Sequence, residues 1–86
     1  MNINTLITIV NNKLKEKIKI ENIKIEDKSF LHKKHKLNQE GKFHLKLIIK
    51  SNELLKMNKI NSNKMIYKAL DEELKLYIHS IQILIN

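Results

Sequence analysis

The chain has 86 residues, enough for one compact core, and we expect residues 1–86 to form a single domain. It has no cysteine, no proline and one glycine, which excludes disulfides, thiolate metal sites built by this chain alone and glycine-rich phosphate loops. All 17 basic residues are lysines against 9 acidic residues, and the net charge of +8 hints at a polyanion without identifying one.

No apolar stretch approaches the ~20 residues that cross a bilayer. Residues 1–10 are apolar, but they lack the basic start and the small-residue cleavage site of a secretion signal. We therefore expect a cytoplasmic protein without membrane association. For the isolated protein we expect a monomer or a weak homodimer.

The first predicted element is an amphipathic helix over about residues 4–17. Leu6, Val10 and Leu14 recur at helical spacing, and Asn4 or Thr5 can cap the first turn. From residue 21 the period shortens to two, and Ile23 and Ile25 predict a strand.

Residues 27–42 are mostly polar and predict a long loop. The alternation from Phe43 to Ile49 is the clearest strand in the sequence, and it turns His44 outward, which predicts a surface residue. Ser51 or Asn52 can cap a short helical turn over residues 53–57.

A longer helix is predicted next, capped by Asn61 or Ser62, with an ion pair between Asp71 and Lys75 at the favourable i, i+4 spacing. Its apolar face comprises Ile66, Ala69, Leu70, Leu74 and Tyr77. A last strand follows, in which Ile81, Ile83 and Ile85 face the core.

The order helix, strand, strand, short helix, helix, strand predicts an α+β domain. Two strands joined by a loop can pair antiparallel, whereas a strand reached through helices usually returns parallel to its neighbour by a right-handed crossover. We expect a mixed three-stranded sheet with the helices packed on one face.

Four segments in this order resemble the BolA family, whose fold is related to class II KH domains. Residues 26–29 (EDKS) are similar to its acidic strand end, and residues 42–51 (KFHLKLIIKS) to its S-H-F-K-V-x-I-V-S strand. Residues 65–74 (MIYKALDEEL) resemble the helix with the pattern V-Y-x-x-L-x-E-E-L, and residues 78–81 (IHSI) its V-H-A-L signature. The resemblance implies a BolA-like, class II KH-like fold across residues 1–86.

The resemblance also implies a function. BolA proteins are non-enzymatic partners of monothiol glutaredoxins and complete a shared [2Fe–2S] cluster with histidine, for cluster trafficking or for iron or redox sensing. His79 matches the family's ligand in the last strand, and His35 matches the loop ligand, with His32 as the alternative. The cofactor is therefore expected only in the complex, since this chain has no thiolate.

Each histidine also has a simpler interpretation. His79 could be a helix-end residue that bonds a carbonyl and packs, and His35 could be a solvated loop residue. His32 and His35 form an HxxH pair, but no cysteine or carboxylate pattern completes a zinc site.

The alternative function is that of a BolA-type transcription regulator of stress or morphology. Its contacts to DNA would come from a basic, helix-turn-helix-like segment containing Lys56, Lys59, Lys64, Lys68, Asn61 and Asn63. This segment departs from the family, with Leu54 and Lys56 in place of F-x-G and residues 62–64 (SNK) in place of R-H-R. Specific base recognition favours arginine, which the chain lacks.

An enzyme is the third class. Glu72 and Glu73 are adjacent on a helix, so their side chains diverge by ~100° and do not converge on a substrate. We interpret both as solvated and expect no catalytic residue.

Overall fold

The computed structural model describes residues 1–29 and 42–86. Its helices are α1 (Ile3–Lys17), α2 (Asn52–Leu55), α3 (Lys59–Ala69) and α4 (Asp71–Leu76). Its strands are β1 (Asn22–Asp27), β2 (Phe43–Lys50) and β3 (Ile78–Ile85). The predicted order of elements is confirmed, with the last predicted helix divided in two.

The sheet has the order β1-β2-β3, with β1 antiparallel and β3 parallel to the central strand β2. Odd-numbered residues of β2 face the helices, and Leu45, Leu47 and Ile49 are buried with residues of α1, α3 and the connections. Even-numbered residues form the opposite face, where Lys46 lies between Glu26 and Gln82. The predicted mixed sheet with helices on one face is therefore confirmed.

The boundaries of α1 follow from local hydrogen bonds. The Asn2 side chain accepts from the Thr5 N–H at 2.8 Å, so the predicted caps Asn4 and Thr5 were wrong by one turn or less. Leu6, Val10 and Leu14 are buried as predicted. The helix ends where Ile18 turns into extended conformation and donates its N–H to the Leu14 carbonyl.

The predicted start of the long helix was also wrong. Asn58 caps α3 by accepting from the Asn61 N–H at 2.8 Å, and Ser62 is buried inside the helix, where its hydroxyl donates to the Lys59 carbonyl. The helical conformation is interrupted at Leu70. Three acidic residues then occupy the first turn of α4, where the positive end of the helix dipole favours them.

Two of those acids contact α1. The Lys13 ammonium lies 2.6 Å from a Glu73 carboxylate oxygen and 3.6 Å from a Glu72 oxygen. Glu72 is exposed as predicted, whereas Glu73 is buried, because it faces α1 and not solvent. The predicted Asp71–Lys75 ion pair is confirmed at 3.1 Å.

The loop predicted over residues 27–42 starts and stops where the structure places the strand ends, since β1 ends at Asp27 and β2 begins at Phe43. The candidate ligands His32 and His35 lie outside the described residues. No described helix is long and apolar enough to cross a membrane.

The Lys13–Glu73 pair should make the stability of the domain sensitive to strongly alkaline pH. The hydrogen bond to Glu73 raises the pKa of Lys13 above its ordinary value of 10.5. Folded Lys13 thus holds its proton more tightly than unfolded Lys13, so its contribution is complete below pH 10.5 and is lost as the pH rises through the folded pKa.

Urea unfolding of wild type and Lys13→Met, followed by far-UV circular dichroism, measures this contribution. The difference in unfolding free energy should be constant near neutral pH and shrink in strongly alkaline solution. Lys15→Met, an exposed change on the same helix, is the control and should show no such trend. A Lys13 difference independent of pH would contradict the assignment.

Candidate functional site

The first feature of the site is an irregularity in the pairing of β3 with β2. Phe43 pairs with Ile78, but the next residue of β2, His44, pairs with Ser80. His79 is therefore an extra residue on β3, as in a β-bulge, and it is exposed. Bulges re-aim side chains and are common beside functional sites.

The bulge follows from the spacing of the isoleucines. Ile78 is buried opposite Phe43, and Ile81, Ile83 and Ile85 pack against the same core. Regular alternation cannot place both Ile78 and Ile81 on one face, because they are three residues apart. One additional residue between them restores the register, and His79 is thereby removed from the alternation.

His44 lies beside His79 and is only 4% exposed, so the prediction that it is a surface residue was wrong. Its Nδ1 lies 2.7 Å from the Ser80 hydroxyl, and its ring centre is 4.9 Å from that of His79 with an angle of 62° between the planes. The alternation correctly assigned His44 to the face opposite the core, but it could not predict that neighbouring residues shield His44 from solvent on that face.

The backbone of His44 is also fixed. Its N–H donates to the Ser29 hydroxyl at 3.1 Å, and its carbonyl accepts from the Lys28 N–H at 2.7 Å. The segment after β1 therefore holds this end of β2. As a result, the exposed imidazole of His79 rests against a ring that the sheet and this segment hold in place.

A cleft of about 350 Å³ is lined by His44 and by residues of the strands beside it. Two cations, Lys28 and Lys46, line it together with His44, Ser80 and Gln82. Lys28 also lies 3.7 Å from a Glu26 oxygen. The cleft thus offers positive charge and hydroxyl or amide groups, which suit an anionic ligand.

The chemistry available here is that of one accessible imidazole. Among residues 1–29 and 42–86, no group of three or more His, Asp or Glu side chains could hold a metal ion. A metal bound by His79 would therefore require donors from another molecule or from outside the described residues. An exposed imidazole at a surface fits such shared ligation, because other donors can reach it.

The candidate nucleic-acid residues lie on and beside α3. Lys56, Lys59, Lys64, Lys68 and Asn61 are exposed, and Asn63 is half-buried. Asn61, Lys64 and Lys68 follow at i, i+3 and i+7 and so share one helix face. Lys59 and Asn63 instead line a cleft against β3.

Comparison with known proteins identifies the family to which the chain belongs. The family model for BolA-like proteins matches residues 14–86, so the chain belongs to the BolA family. The fold is similar to that of the BolA domain of SufE1 from Arabidopsis thaliana, with a TM-score of 0.78, 22% identity and coverage of 100% of this chain and 93% of that one.

It is also similar to BolA1 from Arabidopsis thaliana, with a TM-score of 0.74, 26% identity and coverage of 91% of this chain and 86% of that one. For BolA1 from Mus musculus the TM-score is 0.71 and the identity 19%, with coverage of 90% and 60%, respectively. No curated protein matches the chain.

The contact between Ser80 and His44 gives a prediction about stability. Ser80→Ala removes a partner of a buried imidazole nitrogen without creating a cavity, because Ser80 is exposed. We expect a loss of about 1 kcal/mol in unfolding free energy. We also expect altered NMR shifts of the His79 ring, since its neighbour is then less constrained.

Gln82→Ala is the matched control, two residues further along the same face of β3, and should change the unfolding free energy by less than about 0.5 kcal/mol. Unaltered stability together with unaltered His79 ring shifts in Ser80→Ala would show that this contact does not hold the pair in place.

Proposed function

We propose that the protein is a non-enzymatic iron–sulfur adaptor. In this proposal it binds a monothiol glutaredoxin in the cytoplasm and supplies histidine to a [2Fe–2S] cluster that the two proteins share. The single observation that carries the proposal is the exposure of His79 in the bulge of β3, against the buried ring of His44. Family membership provides the context but does not by itself assign the partner.

The donor set of the chain is consistent with a shared cluster. A [2Fe–2S] cluster is normally held by four thiolates, and histidine can replace thiolate on one iron. A glutaredoxin cysteine and glutathione would supply the sulfur that this chain lacks, and His79 with His35, or alternatively His32, would supply imidazole. When bound, such a cluster provides a one-electron redox centre whose potential imidazole raises.

The residues around His79 would orient it for this role. A metal-binding histidine is usually oriented by neighbouring groups that hydrogen-bond to its ring or pack against it. In other metal sites, mutation of such a neighbour typically weakens metal binding or activity about 10–100-fold. The His44 ring and its Ser80 contact are suited to this task. Lys28 and Lys46, at the neighbouring cleft, would attract the carboxylates of glutathione.

The test is reconstitution of the cluster from this protein, a monothiol glutaredoxin and glutathione, followed by visible circular dichroism. His79→Ala should abolish the spectrum of the heterocomplex and leave that of the glutaredoxin homodimer, because the second iron loses the imidazole of His79. Lys15→Ala, an exposed change on α1 away from the site, should preserve the heterocomplex spectrum. An unchanged spectrum with His79→Ala would refute His79 as a ligand.

A second variant separates ligation from structural support. His79→Cys replaces imidazole with thiolate, the ligand that clusters ordinarily use, and should retain a cluster with a lower reduction potential. If His79 serves only to pack against His44, His79→Cys should behave like His79→Ala.

The second candidate is DNA binding, favoured by the exposed lysines of α3. Lysine attracts phosphate but carries no sequence information, and the chain has no arginine for bidentate contacts to guanine. Association through these lysines should therefore depend on salt and not on sequence.

Fluorescence anisotropy with duplexes of different sequence tests this candidate. We expect weak binding that disappears near ~150 mM salt, with Lys64→Gln and Lys68→Gln each reducing the slope of log affinity against log salt by about 1. Lys15→Gln on α1 is the control. Tight, sequence-selective binding at ~150 mM salt would favour the regulator over the adaptor.

A further inference from the structure

The outer edge of β3 presents backbone groups that pair with no other described strand. The N–H of Asn86 donates to the Ile49 carbonyl at 2.9 Å, and its carbonyl accepts from the Ser51 N–H at 3.2 Å. Alternate residues of a strand direct their backbone groups to opposite sides, so those of Ile81, Ile83 and Ile85 point away from β2. No other described strand lies beyond β3.

This edge lacks the usual protection against pairing. Edge strands are commonly kept apart by charged residues, proline or short length. β3 has eight residues and none is charged or proline, although 30% of the chain is charged. The bulge at His79 interrupts only the first part of the strand, and residues 81–85 remain in regular register.

An apolar cleft of about 290 Å³ follows the same edge. Three successive residues line it, namely Ile83, Leu84 and Ile85. Successive side chains of a strand face opposite sides of the sheet, so a cleft that all three line lies along the edge of the strand. Its other wall includes Leu55, which is 54% exposed. Leu84 is 48% exposed. An added strand would thus find apolar contacts beside the backbone groups.

The charge around the cleft defines the occupant. Among the described residues that line it, Lys59 is positively charged and none is acidic. A second copy of this chain would bring the same lysine and another net charge of +8. Single-stranded nucleic acid would be held by aromatic rings for stacking or, in KH-like folds, by a GxxG loop. No described aromatic residue lines the cleft, and the chain has too few glycines for such a loop.

We propose that β3 is a docking edge for an extended, acidic and apolar segment of a partner protein, which adds a fourth strand beside residues 81–85. The backbone of the segment pairs with Ile81, Ile83 and Ile85, alternate apolar side chains enter the cleft, and acidic side chains meet Lys59. This interaction does not require a cluster at His79.

The probe is a peptide of about seven residues, a usual strand length, with alternating valine and glutamate. In an NMR titration of the full chain, the amides of Ile81, Ile83 and Ile85 should show the largest shifts and slower hydrogen exchange. The same peptide with every backbone nitrogen methylated has no N–H left on either edge, so it cannot form the ladder and should not bind.

Charge is tested by Lys59→Glu, which should weaken binding of the acidic peptide about 3- to 10-fold at low salt. Lys15→Glu on α1 makes the same change in net charge away from the cleft and should have a smaller effect. A peptide with lysine in place of glutamate should prefer the Lys59→Glu protein, which separates a charge effect from damage to the fold.

Three outcomes would overturn the proposal. The first is that the amides of β3 do not respond to the peptide, or respond equally to its N-methylated form. The second is that an oligodeoxythymidine of about eight nucleotides, the length that one small domain covers, binds this edge more tightly than the peptide. The third is that the same amides shift with protein concentration alone, which would identify a second copy as the occupant.

Discussion

The site depends on the requirement that β3 bury both Ile78 and Ile81. Ile78 closes the core where α4 meets the sheet, and Ile81 continues it opposite Leu45. A regular strand can satisfy only one of the two, because side chains alternate between its faces. The extra residue that resolves the conflict is His79, and its exposure is therefore a consequence of core packing and not of an isolated surface preference.

The same requirement explains why His44 and His79 meet. Where two residues of one strand oppose one residue of its neighbour, all three can come together on one side of the sheet. Here His79 and Ser80 oppose His44, one through its ring and the other through its hydroxyl. A histidine at a loop tip would be equally accessible but would lack such support, and a ligand must be both accessible and oriented.

Local patterns predicted the elements well and their junctions poorly. The spacing of Leu6, Val10 and Leu14 and the alternation within β2 determine α1 and the central strand, because each pattern has one solution that buries the apolar residues. The cap at Asn58 and the interruption at Leu70 depend on hydrogen bonds and packing that periodicity does not contain. The burial of Glu73 likewise depends on Lys13, which is 60 positions away.

For the site, the spacing of the isoleucines in β3 carries a signal. The interval of three between Ile78 and Ile81, followed by intervals of two, is the pattern of a bulge, and it would have predicted that His79 leaves the core face. The burial of His44 had no such signal. Alternation predicts which face of the sheet a residue lies on, but not whether neighbouring side chains shield it from solvent there. Family resemblance supplied the candidate ligand, and only the register explains how the strand presents it.

β3 thus has two ends with different properties. At its start the bulge breaks the ladder and presents an imidazole. From Ile81 onward the strand is regular and uncharged, and no other described strand pairs with its outer edge. Ile83 is four residues from His79, or about 13 Å along a strand, so a single partner protein could contact both ends. A segment paired only beside residues 81–85 would end before the histidine. Changes at His79 and at Lys59 should therefore affect cluster ligation and strand docking separately, even if one partner uses both.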